Sequence, residues 1–314
     1  MKPLRYTLGI LLLIVFAQAR AANRFWVAAS PGNWNNSANW SATSGGAPNA
    51  SIPGAADAAI FDNNGLGNCT LDINVAVASI TVNGAYAGTL VQGNNTITTT
   101  GVMTWSGGTF TGGTGNITVG GVFTLSGTTF TSTTAVLEFK SNTAFTSGSF
   151  NHNNGSIRYN ATANVAVSGT SPTFYNLEFV GNGRVYPISS AGNVTVLNNL
   201  DLSGSSTYTL NTGTIDVNGD INVTNSAAGC GGTGLINIVG AGTQNFIGTL
   251  SAGQGTLPQL SINKTAGVLN LSNFPGVANN FTYVSGTINP GTSTFCFARV
   301  STGIGSRNLF CPDQ

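Results

Sequence analysis

The chain has 314 residues, a formal net charge of +1 and 6% charged side chains, against about 25% in an ordinary globular domain. Glycine contributes 43 residues, yet 41% of the chain is hydrophobic and 17 residues are Phe, so the composition favours a folded chain over a disordered one. The few basic residues form no cluster. We therefore expect no nucleic-acid partner, because phosphate binding requires concentrated Lys and Arg.

Residues 1–22 predict a secretory signal peptide. Lys2 and Arg5 precede an apolar run over 8–16, and small residues follow at Ala17 and Ala19. The run is shorter than the roughly 20 apolar residues of a membrane-spanning helix, and no later segment approaches that length. We expect an exported protein without a transmembrane segment, either secreted or held at the cell surface.

Residues 23–62 differ from the rest of the chain because they hold three of its four tryptophans, Trp26, Trp34 and Trp40. A solenoid exposes an apolar cross-section at its end, and large aromatic side chains are a natural cover for it. The segment therefore predicts an N-terminal cap. As an alternative, the same three rings are candidate platforms for stacking glycans.

From residue 101 to residue 180 the chain divides into four blocks of twenty that align without a gap. Apolar residues recur two apart, separated by a polar residue and bounded by Gly, Ser, Thr and Asn, which is typical of short strands with one buried face. The aligned apolar columns are Trp105, Leu125, Phe145, Val165; Phe110, Phe130, Phe150; Ile117, Leu137, Ile157, Leu177; and Val119, Phe139, Tyr159, Phe179.

This period predicts an all-β fold, a parallel β-helix (β-solenoid) with about 20 residues per coil over residues 63–297. At roughly 21 residues per turn, about eleven turns give a rod on the order of 50 Å long. After residue 180 the period loosens, but paired apolar residues persist up to Phe281 and Tyr283. An antiparallel β-sandwich array is the alternative, although it does not explain a gapless register of twenty.

Candidate acids are scarce. Glu138, Arg158 and Glu178 occupy one outward column, with the two carboxylates about 9.6 Å apart. That separation is near that of an inverting glycosidase pair, so Glu138 and Glu178 form a weak candidate acid pair. A solvent-exposed charge ladder is the favoured interpretation, because Arg158 lies between the carboxylates and neutralises them. We predict no catalytic, cofactor or metal site elsewhere.

Three further polar patterns favour ordinary structure. His152 lies in a turn sequence, and Asp216 and Asp220 flank an Asn-Gly turn without the spacing of a calcium loop. A small outward threonine array, which suggests ice binding as a minor alternative, comprises Thr109, Thr111, Thr129 and Thr131.

Four cysteines in an exported chain permit disulfides. Cys296 and Cys311 can join and would hold residues 298–314 as a C-terminal tail or cap. Cys69 and Cys230 lie seven or eight coils apart, on the order of 35 Å, which is too far for a bond.

The arrangement of Trp34, Trp40, residues 44–46, Pro53 and residues 57–62, followed by strands ending in Ser-Gly-Thr or Asn-Gly, resembles repetitive bacterial extracellular β-helix surface proteins. These include adhesin and autotransporter-passenger-like regions. The resemblance implies an architecture rather than an activity.

The repeat architecture and the few titratable side chains lead us to expect a structural or adhesive surface or matrix protein without catalytic activity. Surface glycans or other matrix proteins are the expected partners, and the open ends allow end-to-end self-association. The alternatives are a polysaccharide lyase or glycoside hydrolase built on a β-helix, and an ice- or glycan-binding protein.

Overall fold

A computed structural model describes residues 21–180, 184–190, 192–204, 208–224, 231–249, 251, 254–300 and 307–310. The described chain is all-β apart from one short 3-10 helix, Ser37–Asn39. Within these residues no helix has the length and apolar character needed to cross a membrane. The predicted signal peptide lies outside them, except for its last two residues.

The strands are short and follow one another at near-regular intervals. The first seventeen are β1 Asn23–Trp26, β2 Gly32–Asn33, β3 Trp40–Ser41, β4 Ala58–Phe61, β5 Cys69–Thr70, β6 Val75–Val77, β7 Ser79–Val82, β8 Thr89–Val91, β9 Ile97–Thr99, β10 Met103–Trp105, β11 Thr109–Thr111, β12 Ile117–Val119, β13 Phe123–Leu125, β14 Thr128–Thr131, β15 Val136–Phe139, β16 Thr143–Phe145 and β17 Gly148–Asn151. The remainder are β18 Ser156–Tyr159, β19 Val167–Gly169, β20 Thr173–Phe179, β21 Arg184–Ser190, β22 Val194–Asp201, β23 Tyr208–Asn211, β24 Thr214–Val217, β25 Asp220–Asn222, β26 Leu235–Ile238, β27 Gln244–Ile247, β28 Thr256–Leu257, β29 Gln259–Ser272, β30 Gly276–Val277, β31 Phe281–Asn289, β32 Cys296–Val300 and β33 Arg307–Phe310.

Successive strands visit three faces in turn, so the chain winds as a solenoid. Every third strand of the early coils returns to the same face and pairs in parallel with its counterpart one coil earlier. The first sheet runs from β3 and β1 to β23, the second from β2 to β17, and the third from β6 to β31. The predicted β-solenoid is confirmed, with coils about 21 residues apart and about eleven turns.

The predicted inward column is also confirmed. Ile117 pairs with Leu137, Leu137 with Ile157, and Ile157 with Leu177, always in parallel strands, and all four are at most 1% exposed. Their outward neighbours are partly exposed and stay in register. This parallel register shows that the antiparallel sandwich alternative is wrong, because a sandwich of hairpins pairs neighbouring strands in opposite directions.

Residues 23–62 contain strands that belong to the solenoid sheets. β1 pairs in parallel with β4, and β2 pairs in parallel with β5, so parallel pairing begins inside the predicted cap segment. β3 pairs with β1 in the antiparallel direction and occupies the end of the first sheet. The expected boundary at residue 62 therefore falls within the run of parallel strands.

The second sheet ends at β17, where the repeat lengthens. Phe110, Phe130 and Phe150 are 20 residues apart. Phe174, which contacts Phe150 from the next coil, follows it after 24 residues. Beyond this coil the third sheet widens, since β20 and β22 are long strands that bend at a bulge after Phe174. The first half of each long strand lies on the face that the second sheet occupies in the earlier coils.

The C-terminal coils carry a small fourth sheet of β28, β30, β32 and β33. β33 pairs with β32 in the antiparallel direction and occupies the end of this sheet. Of the paired apolar residues expected in this region, Leu260 and Ile262 are buried. Tyr283, which pairs with Ile262, is instead 53% exposed and corrects the expectation that it points inward.

Candidate functional site

The predicted acid pair lies in one outward column, with Arg158 in register between Glu138 and Glu178. Arg158 Nε donates to Glu178 Oε2 at 2.7 Å. Glu138 instead forms an ion pair with Lys140 at 3.5 Å and accepts from Asn160 Nδ2 at 3.2 Å. The arginine thus pairs with one carboxylate and not with both, and each glutamate has its own partners.

All the acids that the structure describes accept a hydrogen bond from within the protein. Asp57 accepts from the backbone N–H groups of Ala22 and Gly54, and Asp72 accepts from the N–H of Asn35. The remaining acids accept as follows: Asp62 from Ser44 and Asn64, Glu138 from Asn160, Glu178 from Arg158, Asp201 from Ser203, Asp216 from Asn193 and Asn237, and Asp220 from Asn245. These carboxylates connect turns and adjacent coils.

Asp220 begins a ladder of side-chain amides on the third sheet. Asn245 donates to Asp220 at 3.0 Å, Asn270 donates to Asn245 at 3.3 Å, and Asn289 donates to Asn270 at 3.1 Å. Each bond joins one coil to the next. The acids of the DVNGD sequence therefore serve coil stacking, and the described residues contain no group of three or more His, Cys, Asp or Glu arranged to hold a metal ion.

The three N-terminal tryptophans are buried together and at most 1% exposed. The Trp40 ring contacts Trp26 and Trp34 with centroids 5.3 and 4.8 Å apart, and all three contact Phe61. Trp26 Nε1 donates to Gly67 O. A platform for glycans needs a ring face open to solvent, which none of these indoles has, so the structure corrects the stacking alternative and agrees with packing.

His152 occupies a turn. Its Nδ1 accepts from the N–H of Asn154 at 2.9 Å, and its ring stacks on Tyr175 with centroids 5.7 Å apart. Partial burial lowers the pKa of His152. The imidazole therefore holds the local turn Asn153–Asn154, whose residues both have positive φ.

Cys69 is a buried free thiol on β5, which the sequence left open. Burial, with a smaller contribution from Asp72, raises the pKa of Cys69 well above its usual value. Cys296 is buried on β32. Its predicted partner Cys311 and the remaining Cys230 lie outside the described residues, so the Cys296–Cys311 disulfide stays a prediction.

The outer face of the second sheet carries the predicted threonines. Thr109 and Thr129 pair in register, as do Thr111 and Thr131. The first column extends one coil earlier to Thr89, whereas the second meets Val91 there. Both columns end one coil later, at Ser149 and Asn151, so the array spans only a few coils.

A notch opens in the side of the solenoid directly beyond β17, and sequence reasoning missed it. It encloses a cavity of about 220 Å³. The cavity is lined by Leu125, Phe145, Ser147, Gly148, Ser149, Phe150, Thr170, Ser171, Pro172 and Thr173. The sequence lengthens by four residues in this coil, but the extra residues lie between Tyr159 and Val167 and not in the turn that lines the notch.

The loop over 169–172 forms the far wall of the notch. Thr170 is fixed by its N–H, which donates to Phe145 O at 2.8 Å, and Ser171 has a positive φ of 36°. Gly169, at φ 126°, lies so close to the Phe145 backbone that a Cβ would clash with it. These contacts tie the loop to β16, and within the described residues β17 pairs with β14 alone and forms the end of the second sheet.

The notch combines neutral polar groups with apolar walls. None of its lining residues is charged. The hydroxyls of Ser147, Ser149 and Ser171 are exposed and form no side-chain hydrogen bond within the described part of the chain. No protein-family model, curated protein or solved structure matches the chain.

Proposed function

We propose that this chain is an exported β-solenoid that serves as a non-catalytic structural or adhesive element of a cell surface or extracellular matrix. The supporting observation is the use of its carboxylates. Every acid within the described residues accepts an internal hydrogen bond, and many of these bonds connect one coil to the next. Acids held in this way maintain the rod, whereas a hydrolase requires two carboxyl groups that face a common cleft.

The extended shape suits the same role. Parallel coils stack at about 4.8 Å, so the solenoid presents long ordered faces from a small cross-section. With 6% charged residues, these faces are dominated by Thr, Ser, Asn and Gly and carry little electrostatic repulsion. Such a surface favours neutral, hydrogen-bonding partners such as surface glycans or other matrix proteins.

The test uses purified protein covering residues 23–314. We expect it to adsorb saturably to intact cells or extracted matrix of the source and to release no reducing ends from a panel of neutral and acidic polysaccharides. Polysaccharide cleavage that disappears in Glu138→Gln or Glu178→Gln would establish the enzyme alternative instead. Failure to adsorb to any surface would contradict the adhesive role.

A further inference from the structure

The backbone of Ala22, directly before β1, meets an acidic side chain. Its nitrogen donates to Asp57 Oδ1 at 2.9 Å. We propose that Ala22 is the first residue of the mature protein, and that its free ammonium group forms an ion pair with Asp57 that fixes β1 to the solenoid. The inference deepens the proposed function and rests on the export that this function requires.

The sequence offers two sites at which the signal peptide could be cut. Such a site has small residues at the third and the first position before the cut. Ala17 and Ala19 define a cut after residue 19, and Ala19 and Ala21 define a cut after residue 21. The pattern of small residues does not choose between them. The second cut falls one residue before the expected end of the signal peptide at residue 22.

Only the cut after Ala21 creates a charge at the nitrogen that Asp57 contacts. Hydrolysis of the Ala21–Ala22 amide consumes one water, leaves a carboxylate on Ala21 and converts the N–H of Ala22 into an amine. This amine binds a proton at neutral pH, since an α-amino group has a pKa of about 8 in an unfolded chain. The bond to Asp57 then joins two ionised groups, and bonds to ionised groups are roughly twice as strong as neutral ones.

Asp57 has a carboxylate without a basic partner. Its Oδ2 accepts from the N–H of Gly54 at 2.9 Å, and no Lys or Arg of the described residues forms an ion pair with it. Arg24, the nearest basic residue in this part of the chain, donates instead to Ser51 Oγ and to the carbonyl of Asn23. The carboxylate can therefore balance the charge of a new amino terminus.

The ion pair would act on a strand that organises the N-terminal end. Ala22 and Asp57 directly precede β1 and β4, and Ala22 O accepts from the N–H of Ala58 at 2.9 Å. β1 also pairs with β3 and carries Trp26, which packs in the buried tryptophan cluster. Ala21 is exposed and forms no hydrogen bond within the described chain. The contacts of the fold thus begin at Ala22.

The position of the cut is tested by exporting the full-length chain from a secretion-competent bacterial host and sequencing the amino terminus of the product. Two matched variants separate the sites. Ala21→Leu replaces a small residue of the cut after residue 21 alone, and Ala17→Leu replaces one of the cut after residue 19 alone. We expect the wild type and Ala17→Leu to begin at Ala22, and Ala21→Leu to lose that terminus.

The ion pair is tested on purified proteins that begin either at Ala22 or with Gly-Ser before Ala22. Each is compared with its Asp57→Asn variant by hydrogen exchange of the β1 amides, which reports local opening. The acceleration by Asp57→Asn should be about two- to fivefold larger in the protein that begins at Ala22, because only there does it remove an ion pair.

Two further measurements isolate the charge. Acetylation of the Ala22 amine removes the charge without a substitution, and it should also accelerate exchange about two- to fivefold. Asp72→Asn is the control, since Asp72 Oδ1 accepts from the backbone N–H of Asn35 at 2.9 Å, away from the amino terminus. Its effect on the β1 amides should be the same in both proteins.

The results also separate this inference from the proposed function. A mature terminus other than Ala22, equal effects of Asp57→Asn in the two proteins, or no acceleration on acetylation would overturn the inference and leave the export in place. Retention of the uncut chain inside the cell would refute the export and the inference together. A terminus at Ala22 on a protein that adsorbs to no surface would support the inference and refute the adhesive role alone.

Discussion

Lys264 shows how a single charged residue is accommodated inside the coil. The side chain is 1% exposed, and Nζ donates to Gly240 O at 2.5 Å, Gly242 O at 2.9 Å and Gln244 Oε1 at 2.5 Å. All three acceptors belong to one corner of the preceding coil. Burial lowers the pKa of Lys264, and the three hydrogen bonds offset the free-energy cost of burying its amine.

Replacing Lys264 with Met should destabilise the protein by about 2–4 kcal/mol, because three buried acceptors lose their donor. The control is Lys140→Met, since the Lys140 side chain is 44% exposed and the expected change there is within about 0.5 kcal/mol. Guanidinium unfolding monitored by circular dichroism provides both values. Equal effects at the two positions would contradict a structural role for the buried amine.

The Cys69 thiol should be inert in the folded protein. Burial raises its pKa, and the thiolate is the reactive form, so little of it exists at pH 8. We expect iodoacetamide at pH 8 to leave Cys69 unmodified in native protein and to modify it fully in guanidinium, as located by peptide mass spectrometry. Rapid modification of Cys69 in the native protein would show that the coil around β5 opens readily.

Buried tyrosines predict a loss of stability at alkaline pH. Burial raises the pKa of Tyr86 and Tyr159 well above the value of about 10 in an unfolded chain. Above pH 10 the unfolded state therefore releases protons that the folded state retains, and stability falls by up to about 1.4 kcal/mol per pH unit for each tyrosine. Below pH 10 this contribution is constant.

The Tyr159 contribution can be isolated by measuring the melting temperature between pH 8 and pH 11.5. Tyr159→Phe should flatten the decline above pH 10, although it removes a 2.7 Å hydrogen bond with Thr143 and lowers stability at neutral pH. Tyr283→Phe, at an exposed position, should leave the slope of the wild type. If the slope above pH 10 is the same in Tyr159→Phe as in the wild type, Tyr159 does not cause the alkaline loss of stability.

At the scale of the strand, inward columns and outward ladders should differ strongly in energy. Leu137→Ala removes a fully buried side chain from the middle of a column and should cost about 2–5 kcal/mol. Glu178→Gln removes the ion pair with Arg158, whose side chains are 24% and 37% exposed, and should cost less than about 1 kcal/mol. Denaturant unfolding of both variants compares them directly, and a larger loss for Glu178→Gln would reverse the assignment of the core.

The strands between β12 and β18 could be predicted from the sequence because two signals coincide there. Coils of constant length place Ile117, Leu137 and Ile157 twenty residues apart, and the alternation of buried and exposed residues identifies the inward side. Parallel stacking then follows, since like residues can meet in every coil only if each strand lies directly over the last.

The notch could not be predicted in the same way. The four extra residues of this coil lie between Tyr159 and Val167, whereas the turn from Gly169 to Phe174 is as long as its counterpart from Phe145 to Phe150. The chain then enters β20, which pairs within the third sheet and leaves β17 at the end of the second sheet, and no residue of the repeat pattern marks that change. The candidate site thus results from a local departure from the repeat that defines the fold.

The ends of the whole molecule decide whether it assembles. A β-solenoid has open strand edges at both ends, and edges that pair with another copy make a head-to-tail contact that does not close. At the C-terminal end, β33 covers one such edge by pairing with β32 in the antiparallel direction, from Phe297 to Val300. We therefore expect the protein to be a monomeric rod in solution.

Removing residues 301–314 should uncover the β32 edge and produce concentration-dependent oligomers, because a low-charge surface offers little repulsion between copies. The full-length Cys311→Ser variant tests whether the predicted disulfide contributes to this protection. The bond to Cys296 would hold the tail over the β32 edge, so this variant should associate less than the truncation and more than the wild type. Size-exclusion chromatography with light scattering over a range of concentrations measures all three proteins. Filaments of the wild type would show that β33 does not protect the end, and a monomeric truncation would place the protective element elsewhere in the last coil.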